Sequence, residues 1–281
     1  MTTVAPVQVA TRGPAHELRA VRVVLRRELY RFRTDRGRVL SSFAQPLLFL
    51  FVLGKGLGSN IGRGSFGGAD YSTFLFPGVL ATSVMFTAVF SAISIVWDRE
   101  FGFLREMLVA PVSRTSIVLG KCLGGATVAT LQSLVLLALA GLVGVPYNPV
   151  MMVGAILLLY LISFSITAFG MVLAVRVQSI QTMMPRVQLL LTPLMFLSGA
   201  FFPVTGALPG WLHVLTLVNP LTYGVDALRR LVLHYVNPAL GSLVSLHWGS
   251  WLVPGWLDVV IVGGCGAILL VIGAWMFSRT D

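Results

Sequence analysis

Acidic side chains are scarce in this sequence. Asp and Glu number ten in 281 residues, and all charged residues together make up 11% of the chain. A soluble domain carries about 25% charged residues, so a fully water-exposed surface is excluded. No carboxylate stands at the centre of a long apolar stretch, so the buried carboxylate relay of a proton- or sodium-coupled carrier is missing. Lysine is rarer still: Lys55 and Lys121 stand against 18 Arg. A phosphate-binding loop of the G-x-x-x-x-G-K-[ST] kind needs one of these two lysines. Phe49 and Thr115 occupy the first-glycine positions, and Gly56 and Cys122 the Ser/Thr positions. Both candidates fail, so no nucleotide site is read on this chain. His16, His213, His234 and His247 show no metal-binding spacing, and no Ser/His/Asp set can be assembled. The two cysteines, Cys122 and Cys265, lie in different apolar segments without a CxxC pair and read as small buried side chains.

Apolar residues are abundant, at 56% of the chain with a mean hydropathy of +0.88. A bilayer core of roughly 30 Å takes about 20 mostly apolar residues per helix. Six segments qualify, at about 39–57, 73–96, 118–144, 149–175, 185–204 and 256–278. The expected fold is an all-α integral membrane protein. Residues 1–38 form a cytoplasmic segment and 39–281 a six-span domain. No short basic region precedes a removable apolar core, so no cleaved signal peptide is read.

The net charge of +10 has a topological explanation, and no nucleic-acid partner is expected. Arg12, Arg19, Arg22, Arg26, Arg27, Arg31, Arg33, Arg36 and Arg38 precede the first span. Arg99, Arg105, Arg114 and Lys121 fall to the second-to-third connection, Arg176 and Arg186 to the fourth-to-fifth, and Arg279 to the end. Lys55, Arg63, Arg229 and Arg230 fall on the other side. The positive-inside rule puts both termini in the cytoplasm of a multi-pass plasma-membrane protein. From His16 to Arg33, Leu18, Val21, Leu25, Leu29 and Phe32 recur every three or four residues. That spacing predicts an amphipathic helix lying in the interface. Pro46, Pro185, Pro193 and Pro203 are expected to bend spans one and five. The glycine clusters at 124–125, 141/144 and 263–266 are expected to let helices approach closely.

Two connections carry the most information. The segment Trp97 to Arg114, WDREFGFLREMLVAPVSR, predicts a short helix with Phe101, Leu104 and Leu108 on one face and mixed charge on the other. Pro111 is expected to end it and Ser113 to cap the next helix. The stretch Leu197 to Arg230 breaks at Pro203, resumes as an amphipathic run, and passes through Asn219-Pro220 to a helix carrying Asp226, Arg229 and Arg230. Such a pattern fits an element dipping part-way into a bilayer, with its irregular backbone sheltered in protein. Asp226 lies three and four residues before the two arginines and is placed to pair with either.

WDREFGFLREMLVAPVSR, together with NPLTYGVDALRR (Asn219 to Arg230) and RRELYRFRTDRGRVLSSFAQPLLF (Arg26 to Phe49), resembles the permeases of type-2 ABC exporters. The resemblance runs closest to the daunorubicin/doxorubicin-type permeases of actinomycetes. It implies a transmembrane subunit without its motor, paired with a second copy or a paralogue. Two copies of a cytoplasmic ATPase would bind ATP and Mg, and no cofactor is expected on this chain. It implies a coupling helix at about 98–108, with Asp98, Arg99, Glu100, Gly102, Arg105 and Glu106 facing the ATPase. It further implies a re-entrant connector at about 207–253, with Asn219, Pro220, Asp226, Arg229 and Arg230 as a lid. Spans two and five would line a cavity through Met85, Phe86, Phe90, Gln188, Leu191 and Met195. These residues favour export of a drug, antibiotic or lipid-like amphipath over a glycolipid or polysaccharide. A secondary transporter or channel, or a lipid-modifying enzyme, would need charged clusters that the sequence lacks.

Overall fold

The computed structural model describes residues 13–58, 70–104, 107, 112–204, 208–238, 245–249 and 251–279. Of the expected site residues, Arg105 and Glu106 lie outside them, as do Leu108 and Pro111. The chain is almost entirely helical. Helix α1 is Pro14–Thr34, and α2 is Arg36–Leu48, continued by a wider π-helical stretch Phe49–Leu57. Then come α3 (Tyr71–Ala92), α4 (Ser94–Glu100), α5 (Arg114–Leu137) and a 3-10 turn Ala140–Val143. Helices α6 (Pro149–Ala174), α7 (Ile180–Phe196), α8 (Gly210–Val218) and α9 (Pro220–Val236) follow. A two-residue hairpin pairs β1 (His247–Trp248) with β2 (Trp251–Leu252), and α10 (Gly255–Ser278) ends the chain.

Among the described residues five stretches are long and apolar enough to cross a bilayer: Val39–Gly56, Tyr71–Glu100, Arg114–Leu137, Pro149–Ala174 and Gly255–Ser278. The segment expected at 185–204 differs. Its helix starts at Ile180, ends at Phe196 and has 17 residues, about 25 Å at 1.5 Å per residue. Beyond it Gly199 takes φ +68, and the Ser198 hydroxyl bonds the Met195 carbonyl and the Ala200 N–H. A side chain that serves its own backbone in this way competes with helix. The third segment also ends early, at Leu137. The Tyr147 hydroxyl donates to the Ala138 carbonyl and accepts from Gly141 N–H. A Cβ on Gly141 would lie 2.7 Å from the Tyr147 ring, so this glycine seats a tyrosine and not a neighbouring helix.

Helix α3 is the centre of the bundle. It packs against α5, α6 and α9, and nearly all its side chains from Thr73 to Ala92 are buried. Helix α6 packs on α10 and α5. Helix α1 lies along α5, where Gly120 and Gly124 leave a groove one helical turn long. A Cβ on Gly120 would meet Val24 at 2.8 Å, and one on Gly124 would meet Glu28 at 3.0 Å. The face of α1 that docks is therefore Val21, Val24, Leu25 and Glu28, while Leu18 of the expected apolar stripe is 71% exposed. Helix packing, and not apolar periodicity alone, selects the buried face.

The start of α1 is latched to the start of α5. Ser113 caps α5 by accepting from Ser116 N–H, as its sequence position predicts. Its own N–H and hydroxyl donate to the Glu17 carboxylate at 3.1 Å and 2.7 Å. The Ser113 hydroxyl, followed by Ser116 and the Ser113 N–H, holds the Glu17 carboxyl below its ordinary 4.5. A lowered carboxyl contributes stability above the unfolded value and loses it as pH falls through the folded value. Acidification below 4.5 should therefore release the first turns of α1 from α5, read as increased mobility of a spin label at position 18. Glu17→Gln should be mobile already at neutral pH and show no acid-induced step.

Candidate functional site

At the α1 end of the bundle four charged side chains meet. Glu28 on α1, Asp98 on α4 and Lys121 on α5 are each 5% exposed or less. The Lys121 Nζ lies 2.9 Å from Glu28 Oε1, 2.6 Å from Asp98 Oδ2 and 2.9 Å from Ser94 Oγ. Arg27, half-buried, pairs with the other Asp98 oxygen and places Nη1 3.1 Å from the Met107 sulfur. The four charges sum to zero. A buried ion costs several kcal/mol to desolvate and is tolerated when paired and hydrogen-bonded, which this arrangement achieves with two anions and two cations. Lys121 is thus not a loop charge, and Asp98 points inward and not toward a docking surface. Sequence reasoning missed Arg27, Glu28, Ser94 and Lys121 as a unit. The available signal was one of the chain's two lysines within a turn or two of an apolar helix, with no local acid to pair with it.

The two residues after Asp98 hold other helices. The Arg99 guanidinium donates to the carbonyls of Val177 at 2.6 Å and Ala174 at 3.4 Å, in the turn where α6 ends. Glu100 accepts from the Ile180 N–H at 2.9 Å, at the first turn of α7. An anion at a helix N-terminus and a cation at a C-terminus also match the helix dipoles. The continuous helix expected over 98–108 is interrupted: α4 ends at Glu100, and Gly102 turns the chain with φ +83. Phe101 and Phe103 stand exposed on that turn. Arg114 does for α10 what Arg99 does for α6, donating to Ser278 O at 3.1 Å.

At the opposite end, α9 carries a polar stripe whose members each satisfy a backbone group or an ion. The Asn219 amide donates to Leu194 O at 2.7 Å while its oxygen caps α9, with Pro220 at the first helical position. Thr222 donates to Thr216 O at 2.7 Å and Tyr223 to Leu217 O at 2.8 Å. Arg229 donates to Gly199 O at 2.7 Å and lies 4.1 Å over the Phe74 ring. Asp226 accepts from Leu246 N–H at 3.2 Å and pairs with Arg230 at 2.7 Å. Of the two arginines open to Asp226 by spacing, Arg230 is the one that pairs. Arg230 also lies 3.7 Å from Asp258, a fully buried carboxylate in the first turn of α10.

The expected cavity residues separate into three groups. Met85, on the enclosed α3, and Leu191 and Met195, on the one buried face of α7, lie in the core. Gln188 is exposed and bonds Thr192 on its own helix. Phe86 and Phe90 do line a cavity of about 450 Å3 between the α1–α2 junction and α3, α4 and α5, with Trp97, Gln45 and Gln132.

A helical bundle with several stretches apolar and long enough to cross a bilayer has the build of a multi-pass membrane protein, and comparison with known proteins gives the family. The ABC-2 type transporter family matches residues 19–233, and the chain belongs to it. The match takes in the ion cluster and the polar residues of α9, while Leu246 and Asp258 lie beyond it. Nodulation protein J of Rhizobium meliloti (strain 1021) is 32% identical over 215 residues, covering 75% of this chain and 79% of that one. A protein from Cyanophora paradoxa named as a transport permease, ycf38, is 28% identical over 226 residues, covering 80% and 78%. The chain is a multi-pass membrane permease of this family, and membership implies an ABC transporter assembly with an ATPase.

Two perturbations test the clusters. Lys121→Met leaves Glu28 and Asp98 with Arg27 alone, and removing one partner of a buried pair costs about 3–5 kcal/mol. Its yield and thermal midpoint in detergent should fall sharply, and Lys121→Met with Glu28→Gln should recover part of the loss. Arg230→Ala strands both Asp226 and Asp258, whereas Asp226→Ala leaves Arg230 beside Asp258. The arginine variant should therefore be the less stable. The double variant should depart from additivity by about 0.5–3 kcal/mol, as for residues in contact.

Proposed function

We propose that this chain is the membrane half of an ATP-driven exporter in a bacterial plasma membrane, with both termini cytoplasmic. Two copies of a separate cytoplasmic ATPase bind ATP and Mg, and a second copy of the chain or a close paralogue completes the permease. The observation that carries the reading is the run Asp98-Arg99-Glu100. Three successive side chains hold α1 with α5, the end of α6 and the start of α7, directly before an exposed aromatic turn. A push on Phe101 and Phe103 is thereby delivered to four helices through charged, short contacts rather than through one flexible loop. Gly102 shapes the turn, and Arg105 and Glu106 extend the same coupling segment. The ion cluster fixes one docked position for α1, which acts as the lever at the interface. At the other end α8, α9 and the hairpin act as a re-entrant lid over the outer mouth, with Asn219, Pro220, Asp226, Arg229 and Arg230 holding it. The exposed apolar face of α8, Trp211, Val214, Leu215 and Val218, suits contact with lipid or with the second permease copy.

The cargo is an amphipathic or hydrophobic molecule. The resemblance to daunorubicin-type permeases supports a drug-like substrate, and a glycolipid or polysaccharide is the second reading. Phe101→Asp with Phe103→Asp should abolish co-purification of the partner ATPase from membranes. Insertion and thermal midpoint should stay unchanged, because both side chains are exposed. Undiminished recruitment by that double variant would overturn the coupling assignment.

A further inference from the structure

We infer that the cavity behind the α1–α2 junction is a loading site for an amphipath whose headgroup is uncharged and rich in hydroxyl or amide groups. The inference rests on the exporter reading and, within it, favours the glycolipid cargo over the drug-like one. At about 450 Å3 the cavity falls within the range of small-molecule sites. Its polar wall is built from neutral groups with spare hydrogen-bonding capacity. Gln132, 3% exposed, donates its amide N–H to the Ser42 hydroxyl, which in turn donates to Val39 O at 2.6 Å. That chain sets the amide orientation and leaves the Gln132 carbonyl oxygen as an acceptor. Ser83 is also 3% exposed, and neither its hydroxyl nor the Gln45 amide has a side-chain hydrogen-bond partner among the described residues. A hydroxyl on a cavity wall without a protein partner is free to donate to and accept from a ligand.

The charges on the wall do not select an ion. Arg31 and Asp35 carry opposite signs, and the Arg31 guanidinium lies 5.4 Å over the Trp97 ring. A charged headgroup would meet no uncompensated counter-charge and would lose its hydration. Trp97 and Phe90 form the facing wall, each with more than a third of its surface exposed. Flat aromatic faces beside neutral donors and acceptors suit the apolar face of a polyhydroxylated ring and the start of an alkyl chain. Arg31 and Trp97 also adjoin the ion cluster, since Ser94 belongs both to the cavity wall and to the Lys121 site. Headgroup binding therefore occurs against the same helix whose end carries the coupling turn.

The test uses the full chain in lipid nanodiscs and three tail-brominated probes: dodecyl glucoside, dodecyl sulfate and dodecyltrimethylammonium. The readout is the fluorescence quenching lost in Trp97→Phe. The glucoside should quench at about tenfold lower concentration than either ion. Gln45→Leu, at an exposed position without a partner to lose, should weaken the glucoside by about threefold to tenfold, the scale of one neutral hydrogen bond, and leave the ions unchanged. Gln132→Leu should do the same where the variant stays monodisperse. Equal quenching by all three probes, or a glucoside response indifferent to Gln45→Leu, overturns the headgroup assignment. ATPase recruitment measured on the same preparations separates this failure from failure of the exporter reading.

Discussion

Hydrocarbon offers no hydrogen bonds, and the architecture of this permease follows from that. A continuous helix satisfies its own backbone, and wherever the chain departs from a helix some other group must do so. Among the described residues such departures include the turn after α7, the break between α8 and α9, the segment before the hairpin, and the ends of α6 and α10. Each is served by a named side chain. Arg229 takes the Gly199 carbonyl, Asn219 the Leu194 carbonyl, Thr222 and Tyr223 the last carbonyls of α8, and Asp226 the Leu246 N–H. Arg99 and Arg114 take the ends of α6 and α10. The polar residues of α9 therefore do not oppose its apolar surroundings. They are what permits irregular backbone beside it.

A second constraint operates at the other end. Glu28, Asp98 and Lys121 are buried, and an unpaired ion there would cost more than any single apolar contact contributes. Two anions and two cations, with the Ser94 hydroxyl, balance the charge. Such clusters add little net stability compared with an apolar equivalent. What they impose is position, because each ion is satisfied only where α1, α4 and α5 meet in one geometry. The groove at Gly120 and Gly124 lets α1 approach closely enough for Glu28 to reach Lys121.

Between the two ends runs α3, buried along nearly its whole length and continued by α4 to the exposed turn at Phe101. It touches α5, α6 and α9, so it joins the ion cluster to the polar stripe through packed side chains. At Gly78 the fit is close enough that a Cβ would lie 2.2 Å from the Ala200 carbonyl, in the turn that Arg229 also holds. Dense packing of this kind transmits displacement instead of absorbing it.

The sequence alone determined the class of the molecule. Its charge deficit, the long apolar segments, the failed phosphate-loop candidates and the two connecting motifs are one-dimensional features. Ser113 as a helix cap and Asp226 facing an arginine at helical spacing were legible for the same reason, since both are local. Only the tertiary structure decided which arginine pairs, because Arg229 and Arg230 differ in what neighbouring elements present: carbonyls and Phe74 to one, Asp226 and Asp258 to the other. Only packing decided that Asp98 turns inward, that Lys121 belongs to a core site, and that Met85, Leu191 and Met195 are enclosed while Phe86 and Phe90 line a cavity. Local patterns record which residues share a helix face. What lies opposite that face comes from residues about 25 to 100 positions away, as with Glu28 and Lys121 or Asn219 and Leu194.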